Sequence, residues 1–172
     1  MKRCFIAVFL LVAAVAGGCK PSAPPPPAAR TVPALPTQAQ PRLATIKLYL
    51  GPKEMTAEMA VTEMQERTGM MFRTNMAEND GMIFVLPRAE RANFWMMNCV
   101  LPLSAAYIDP DGMILEIHDL QPGNTNGVVA ATDNILYVLE TPQGWFSKNG
   151  VAAGAVIRTD KGSLRKTFFG TE

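Results

Sequence analysis

The sequence contains few residues that bind metals, form disulfides or carry charge. Its 172 residues include 1 histidine and 3 cysteines, and only 18% of them are charged, with 16 Lys+Arg against 15 Asp+Glu. This balance, without a basic cluster, does not provide the electrostatic footprint of a nucleic-acid-binding protein. The charged fraction is also too low for a solvated, disordered chain. The composition therefore predicts one folded domain with accessory segments and no nucleic-acid partner.

The N-terminal apolar run is too short to cross a bilayer. Residues 5–15 form an apolar stretch of about eleven residues behind Lys2 and Arg3, which is typical of a signal peptide. The small residues 16–18 then lead into Cys19, a pattern that resembles the bacterial lipobox, whose cysteine thiol receives a diacylglycerol. An ordinary secretory peptide cleaved nearby is the alternative. We expect residues 1–18 to be a lipoprotein signal peptide and Cys19 to be lipidated.

Residues 19–42 are predicted to be the lipidated cysteine and a Pro-rich tether. Eight prolines between residues 20 and 42 fix φ and remove amide donors, and little apolar surface is available for burial. Lys20 after the cysteine is typical of lipoproteins sorted to the outer membrane. The expected location is the cell envelope, with a domain that faces the periplasm and the membrane as a partner through its lipid anchor.

Residues 43–172 are predicted to form a single mainly β domain. Residues 45–50 alternate in polarity, and residues 82–86, 94–97 and 103–108 are apolar runs of strand length. The turn at residues 109–112 (DPDG) should join 103–108 and 113–120 in a hairpin, and 135–140 and 155–159 add strands. Residues 55–61 fit a strand or a helix. Thr62, Gln65 and Gly69 have the spacing of a capping box and a C-cap, which predicts one short helix. The expected fold is a compact β-barrel or jelly-roll-like sandwich.

Several blocks of the domain resemble the domain of unknown function 192 family. The similar blocks are residues 69–73 (GMMFR), 80–84 (DGMIF), 94–98 (FWMMN), 101–103 (LPL), 107–109 (YID) and 138–140 (VLE), within residues 55–159. The resemblance implies a compact, mainly β fold and supplies no reaction. Four positions depart from the family's usual residues, and each loses a polar or charged group: Met97, Cys99, Ser104 and Ala155.

The polar positions that match the family supply the candidate site. We expect a binding cleft formed by Arg73, Asp80, Trp95 and Asn98. Each member also has a structural interpretation. Arg73 is a candidate for an ion pair with Glu140 or Asp80, Asn98 for a bond to turn backbone, and Trp95 for a place in the core.

Other residues give weaker signals. Asp109 is interpreted as a turn residue, Cys99 as a buried thiol without a disulfide partner, and His118 beside Glu116 as an ordinary core or solvated histidine. Soft thioether ligands suit Cu(I), so the group Met70, Met71, Met76, Met82, Met96 and Met97 leaves copper binding as a minor alternative. Asp109 and Asp111 suggest calcium only superficially, because Leu120 stands where the last acidic ligand belongs. We expect no metal site and no cofactor.

The sequence favours a binding or envelope-accessory module with an unknown small-molecule or envelope ligand. It contains no phosphate-cradling glycine loop, serine nucleophile elbow or paired-cysteine metal spacing. An enzyme that acts on an envelope molecule is the alternative, and a purely structural role is the third interpretation.

Overall fold

A computed structural model describes residues 35–171. The predicted signal peptide, Cys19 and most of the predicted tether lie outside the described residues. The last residues of the tether do contact the domain: the Gln40 side-chain amide donates to the carbonyl oxygens of Gln65 and Gly69 at 3.2 and 3.0 Å. Folded structure therefore starts by Gln40, before the predicted boundary at residue 43.

Ten strands and three short helices make up the described part of the chain. In chain order they are β1 (Thr45–Leu50), β2 (Lys53–Ala60), α1 (Glu63–Thr68), β3 (Asp80–Glu90), β4 (Asn93–Phe94), β5 (Leu103–Ile108), β6 (Ile114–Leu120), β7 (Val128–Val129), β8 (Ile135–Pro142), α2 (Trp145–Lys148), β9 (Ile157–Thr159), β10 (Gly162–Ser163) and α3 (Leu164–Phe169).

The prediction of a mainly β fold is confirmed, and its main sheet is open and not closed into a barrel. Eight strands form one sheet in the order β10-β9-β1-β2-β3-β8-β5-β6, and β4 pairs with β7 in a separate two-stranded sheet. The ladder does not close into a barrel: β10 and β6 are its edge strands, and a single bridge between Met113 and Val156 links the segments before β6 and β9. The architecture is that of a β-sandwich.

The predicted hairpin and its turn are confirmed. β5 pairs antiparallel with β6, from Leu103 opposite Leu120 to Ile108 opposite Ile114. The buried Asp109 carboxylate accepts from the backbone N–H groups of Asp111 and Met113, both at 2.9 Å. Asp109 therefore fixes the turn through its own side chain, as the sequence indicates.

The predicted helix is confirmed as α1, and the ambiguous segment before it is strand β2. Thr62 and Gln65 form both bonds of the capping box, and Gly69 is the C-cap with φ 45°. β2 and β3 are parallel neighbours, so the α1 segment is the crossover between them. The expectation of a single helix is wrong, because α2 and α3 also form in the described residues. Their four and six residues are too few to show a helical period in the sequence.

Two apolar cores lie on opposite faces of the large sheet. Ile83, Val85, Ala106 and Ile108 belong to the first core, whereas their neighbours Met82, Phe84, Ala105 and Tyr107 belong to the second. Side chains alternate between the faces of a strand, so a strand buried on both sides has no polar period. This explains why residues 82–86 and 103–108 are continuous apolar runs.

Different segments cover the two cores. Trp145, Phe146 and Leu164, from α2 and α3, belong to the first core. Met70, Met71 and the segment around Met96 belong to the second. None of the helices in residues 35–171 has the length and apolar character of a membrane-spanning helix.

Candidate functional site

A cleft of about 380 Å³ opens over the second core. α1 and the residues after it form one wall, the segment from the end of β3 through β4 to Cys99 forms the other, and the floor is made by β3 and β8. We call it the Glu140 cleft. Its lining consists of Glu63, Glu66, Arg67, Thr68, Gly69, Met70, Met71, Phe84, Leu86, Glu90, Ala92, Asn93, Phe94, Trp95, Cys99 and Glu140.

Glu140 is a buried carboxyl group at the floor of this cleft. It lies on the central strand β8, opposite Met82 of β3 and Ala105 of β5, and only 4% of its surface is exposed. Its Oε2 atom has no hydrogen-bond partner among the described residues. A buried polar atom without a partner typically costs about 1–3 kcal/mol, so each one calls for an explanation. Arg67 Nε, Arg73 Nε and the Tyr137 hydroxyl are further examples among the described residues, and Glu140 is the only carboxyl group of the four.

Burial changes the ionisation of this carboxyl. Loss of solvation raises the pKa of Glu140 to about 8, because no neighbouring group compensates the charged form. The carboxyl group is therefore mostly protonated at neutral pH and ionises as the pH rises through about 8. A protonated carboxyl can donate as well as accept a hydrogen bond, whereas the ionised form accepts only.

Two weakly acidic groups near Glu140, Cys99 and Tyr107, keep their protons at neutral pH. Burial first, and the Glu140 charge second, raise the pKa of the Cys99 thiol to about 12. The Cys99 sulfur is therefore a protonated thiol at neutral pH, as the buried-thiol interpretation requires. Burial is also the main cause that raises the pKa of Tyr107, whose hydroxyl donates to the carbonyl oxygen of Val128.

The mouth of the cleft is acidic. Glu63, Glu66 and Glu90 line it with a single cation, Arg67, whose buried Nε atom has no hydrogen-bond partner among residues 35–171. Burial, followed by the charges of Glu63 and Glu90, raises the pKa of Glu66. These carboxylates therefore lie close enough to repel one another.

Aromatic side chains form the apolar part of the cleft. Phe84 and Phe94 meet edge to face with ring centroids 4.9 Å apart, and Gly69 lies against the Phe84 ring. A Cβ atom at residue 69 would come within 3.3 Å of that ring, and φ is positive there, so this position favours glycine. Trp95 is 39% exposed and lines the same cleft.

Trp95 is the one predicted cleft residue that lines this cleft. Arg73, Asp80 and Asn98 are absent from its lining, so the structure does not bring the four candidates together. The backbone N–H of Asp80 donates to the Ala77 carbonyl oxygen at the start of β3. Cys99, one of the positions that depart from the family's usual residues, does line the cleft.

The predicted pairing of Arg73 with Glu140 is wrong: Arg73 pairs with Glu58. The two guanidinium nitrogens Nη1 and Nη2 donate to Glu58 Oε1 and Oε2 at 3.0 and 2.9 Å, and both side chains are 12% exposed. Glu58 Oε2 also accepts from the backbone N–H of Leu43 at 2.7 Å. This ion pair ties the segment before β1 to β2 and has no contact with Glu140.

Asn98 has a backbone role. Its φ of 57° lies in the left-handed region, its side chain is exposed, and its carbonyl oxygen accepts from the backbone N–H of Phe72 at 2.8 Å. Asn adopts this conformation more readily than most residues. The residue joins the two loops that carry Met71 and Cys99, and thereby shapes the cleft from outside it.

The remaining candidates lie at other places in the fold. His118 Nε2 is 2.8 Å from Glu116 Oε2, and Glu116 Oε1 accepts from the backbone of Ala131. In residues 35–171 no group of three or more His, Cys, Asp or Glu side chains is placed to hold a metal ion. Two methionines of the copper hypothesis, Met70 and Met71, line the Glu140 cleft.

Sequence reasoning missed most of the cleft. The family resemblance includes Glu140, which the interpretation from sequence places in an ion pair, and no sequence signal points to Glu66, Arg67 or Glu90. A local signal existed for Glu140 alone, because it continues the apolar run 135–139, and a carboxyl group in a buried strand is rarely fully buried unless it is paired.

The family comparison covers most of the domain. Residues 46–159 match the DUF192 family, which is described as "Uncharacterized ACR". The search of curated proteins found no match.

Two crystal structures are similar to this chain. A candidate transcription regulator from Sinorhizobium meliloti 1021 is 29% identical with a TM-score of 0.66, and the match covers 70% of this chain and 98% of that one. A protein of unknown function from Novosphingobium aromaticivorans DSM 12444 is 26% identical with a TM-score of 0.62, and the match covers 75% of this chain and 94% of that one. Both likenesses extend over nearly the whole length of the similar proteins.

Proposed function

The chain belongs to the DUF192 family, and we propose that it is a ligand-binding module of the bacterial cell envelope whose ligand occupies the Glu140 cleft. The observation that carries this proposal is the Glu140 carboxyl, which is buried, has no partner for Oε2 among the described residues and forms the floor of an open cleft. A ligand that bonds to this group would remove the cost of leaving it unpartnered.

The shape of the cleft supports the same proposal. Ligand sites are typically concave and apolar, with a few polar groups that fix orientation, and volumes start at about 300 Å³. The Glu140 cleft has about 380 Å³, with Phe84, Phe94 and Trp95 on its walls and one buried carboxyl at its floor.

We place the domain at the outer membrane, facing the periplasm, through lipid on Cys19. The support is the sequence pattern around Cys19 and the Pro-rich segment that follows it. Mass spectrometry of the N-terminal peptide from the membrane fraction tests this. An acylated Cys19 is expected, and Cys19→Ser should release the protein from membranes. An unmodified N-terminus created by cleavage at another residue would contradict the anchor.

The likeness to a candidate transcription regulator does not lead us to propose a nucleic-acid ligand. The chain has 16 Lys+Arg against 15 Asp+Glu, and the described cleft is lined by four carboxyl groups and one guanidinium. Phosphate backbones are bound through an excess of cationic side chains, which this cleft does not offer.

Thermal unfolding of the purified full chain tests the binding proposal. The panel contains envelope peptides, glycans, lipids, small organic molecules and Cu(I). A ligand at about 100 times its Kd stabilises a protein by roughly 2.7 kcal/mol, which raises Tm by several degrees. The increase should disappear in Trp95→Ala and persist in Val100→Ala, which removes an exposed apolar side chain that is not among the lining residues. A panel without any increase in Tm would count against the proposal.

The second candidate is an enzyme that acts on an envelope molecule. The observation that favours it is the pKa of Glu140, because a group that exchanges its proton near pH 8 is suited to general acid–base catalysis. Turnover of a compound from the panel that Glu140→Gln abolishes, without loss of folding or binding, would support the enzyme. Binding without turnover supports the module.

A further inference from the structure

We infer that the Glu140 cleft takes an organic cation, a primary ammonium group attached to a compact aromatic or apolar body. This inference rests on the proposed function and assigns its ligand class. It follows from three features of the described residues: a buried acceptor without a donor, an excess of negative charge at the mouth, and aromatic walls.

When it is ionised, the buried Glu140 carboxyl requires a donor from outside the described residues. Glu140 Oε2 has no partner among the described residues, and its neighbours across the sheet, Met82 and Ala105, offer no side-chain donor. An ammonium group has three N–H donors and a positive charge, and charge-assisted hydrogen bonds of this kind are about twice as strong as neutral ones.

The mouth selects the sign of the ligand's charge. Among the lining residues Glu63, Glu66 and Glu90 outnumber Arg67, although Glu90 Oε2 also lies 3.7 Å from Nε of the exposed Arg88. Burial first, and the charges of Glu63 and Glu90 second, raise the pKa of Glu66. This excess attracts cations and repels carboxylate or phosphate ligands, which would also meet the Glu140 oxygen at the floor.

The walls suit the body of such a ligand. An aromatic ring can pack against Phe94 and Trp95, whose faces are attractive to a nearby cation, while Phe84 supports Phe94 through their edge-to-face contact. A volume of about 380 Å³ accommodates a small organic molecule and excludes a folded partner.

Three matched probes test the inference on the purified full chain: 2-phenylethylamine, 2-phenylethanol and 3-phenylpropanoate, titrated by calorimetry and by NMR. They share a phenyl ring and differ in charge. We expect the amine to bind at least tenfold more tightly than the alcohol, and the acid to bind more weakly still. Glu140→Gln should abolish this preference, and Glu54→Gln should keep it, because Glu54 lies outside the cleft and pairs with Lys47.

The pH dependence provides an independent readout. Because the cation binds the ionised carboxyl, its affinity should rise by up to about tenfold per pH unit toward pH 8 and then level off, with a proton released on binding. The charged or titratable groups around Glu140 are Cys99, Tyr107, Glu63, Glu66, Arg67 and Glu90. Because Glu140 is the titrating group, the affinity of Glu140→Gln for the amine should not change with pH over this range.

The outcomes separate the ligand class from the binding proposal. If the alcohol or the acid shifts the cleft resonances and the amine does not, the inference is overturned and the binding cleft stands. Affinity for the amine that is unchanged in Glu140→Gln also overturns the inference. If no probe and no compound of the wider panel binds, both proposals fail. If Glu140→Gln does not fold, Glu90→Gln at the exposed rim serves instead. It must reduce the affinity for the amine severalfold and leave the affinity for the alcohol unchanged.

Discussion

Asn98 occupies a backbone conformation that few residues adopt. Its φ is 57°, and Phe72, to which it is hydrogen-bonded, has φ 60°. The motif FWMMN therefore contains a turn residue whose importance is conformational. The interpretation from sequence, in which Asn98 bonds to turn backbone, holds only for the backbone carbonyl oxygen of Asn98, which accepts from Phe72, and not for its side chain.

Replacement of Asn98 tests this role. Asn98→Val should reduce the free energy of unfolding by about 1–2 kcal/mol, because a β-branched side chain is strained in the left-handed region. Asn98→Gly should be neutral or slightly stabilising. Urea unfolding of both variants measures the difference, and equal losses in the two would contradict a conformational role.

We predict that the Arg73–Glu58 ion pair stabilises the fold and takes no part in ligand binding. Arg73→Met leaves a largely buried Glu58 carboxylate that still accepts from the backbone N–H of Leu43 but has lost its cation, and we expect the free energy of unfolding to fall by about 3 kcal/mol. The control is Lys47→Met, which breaks the exposed Lys47–Glu54 pair and should change stability little. Equal stability of Arg73→Met and Lys47→Met would contradict a stabilising role of the Arg73–Glu58 ion pair.

At the scale of elements, the sequence predicts the structures that neighbouring residues determine, such as turns and helix caps. The hairpin of β5 and β6 follows from the turn at 109–112, and α1 follows from Thr62, Gln65 and Gly69. The Arg73–Glu58 pair joins residues 15 positions apart, and the cleft combines α1 with β8, some 70 positions away. Such contacts depend on strand order, which the sequence pattern did not supply.

The capping box of α1 predicts a measurable contribution. Thr62→Ala removes the hydroxyl that accepts from Gln65 N–H, and loss of an N-cap typically costs about 1 kcal/mol. Because α1 forms one wall of the cleft, the same variant should weaken ligand binding modestly. Thermal unfolding of Thr62→Ser, which keeps the cap, is the control. An unchanged Tm in Thr62→Ala would show that the cap is not needed.

At the scale of the whole molecule, Glu140 links stability to pH. Its pKa is raised to about 8 in the folded protein, so the folded state holds a proton that the unfolded state loses near pH 4.5. The contribution of Glu140 is fully present below about pH 4.5 and is lost as the pH rises through 8.

The predicted dependence has a definite sign. Between about pH 4.5 and 8 the stability of the parent should fall relative to Glu140→Gln, by up to about 1.4 kcal/mol per pH unit. Glutamine cannot titrate, so the difference between the two unfolding curves isolates this one group. A difference that stays constant over that range would mean that Glu140 is ionised in the folded state.

The most direct test of the account is the carboxyl titration of Glu140 itself, followed by ¹³C NMR in the full chain with and without 2-phenylethylamine. We predict a pKa of about 8 for Glu140 in the free protein and a lower pKa when the probe is bound, because an ammonium group favours the ionised form. A pKa in the usual range of a glutamate, unmoved by the probe, would contradict both the buried unpartnered carboxyl and the cleft built on it.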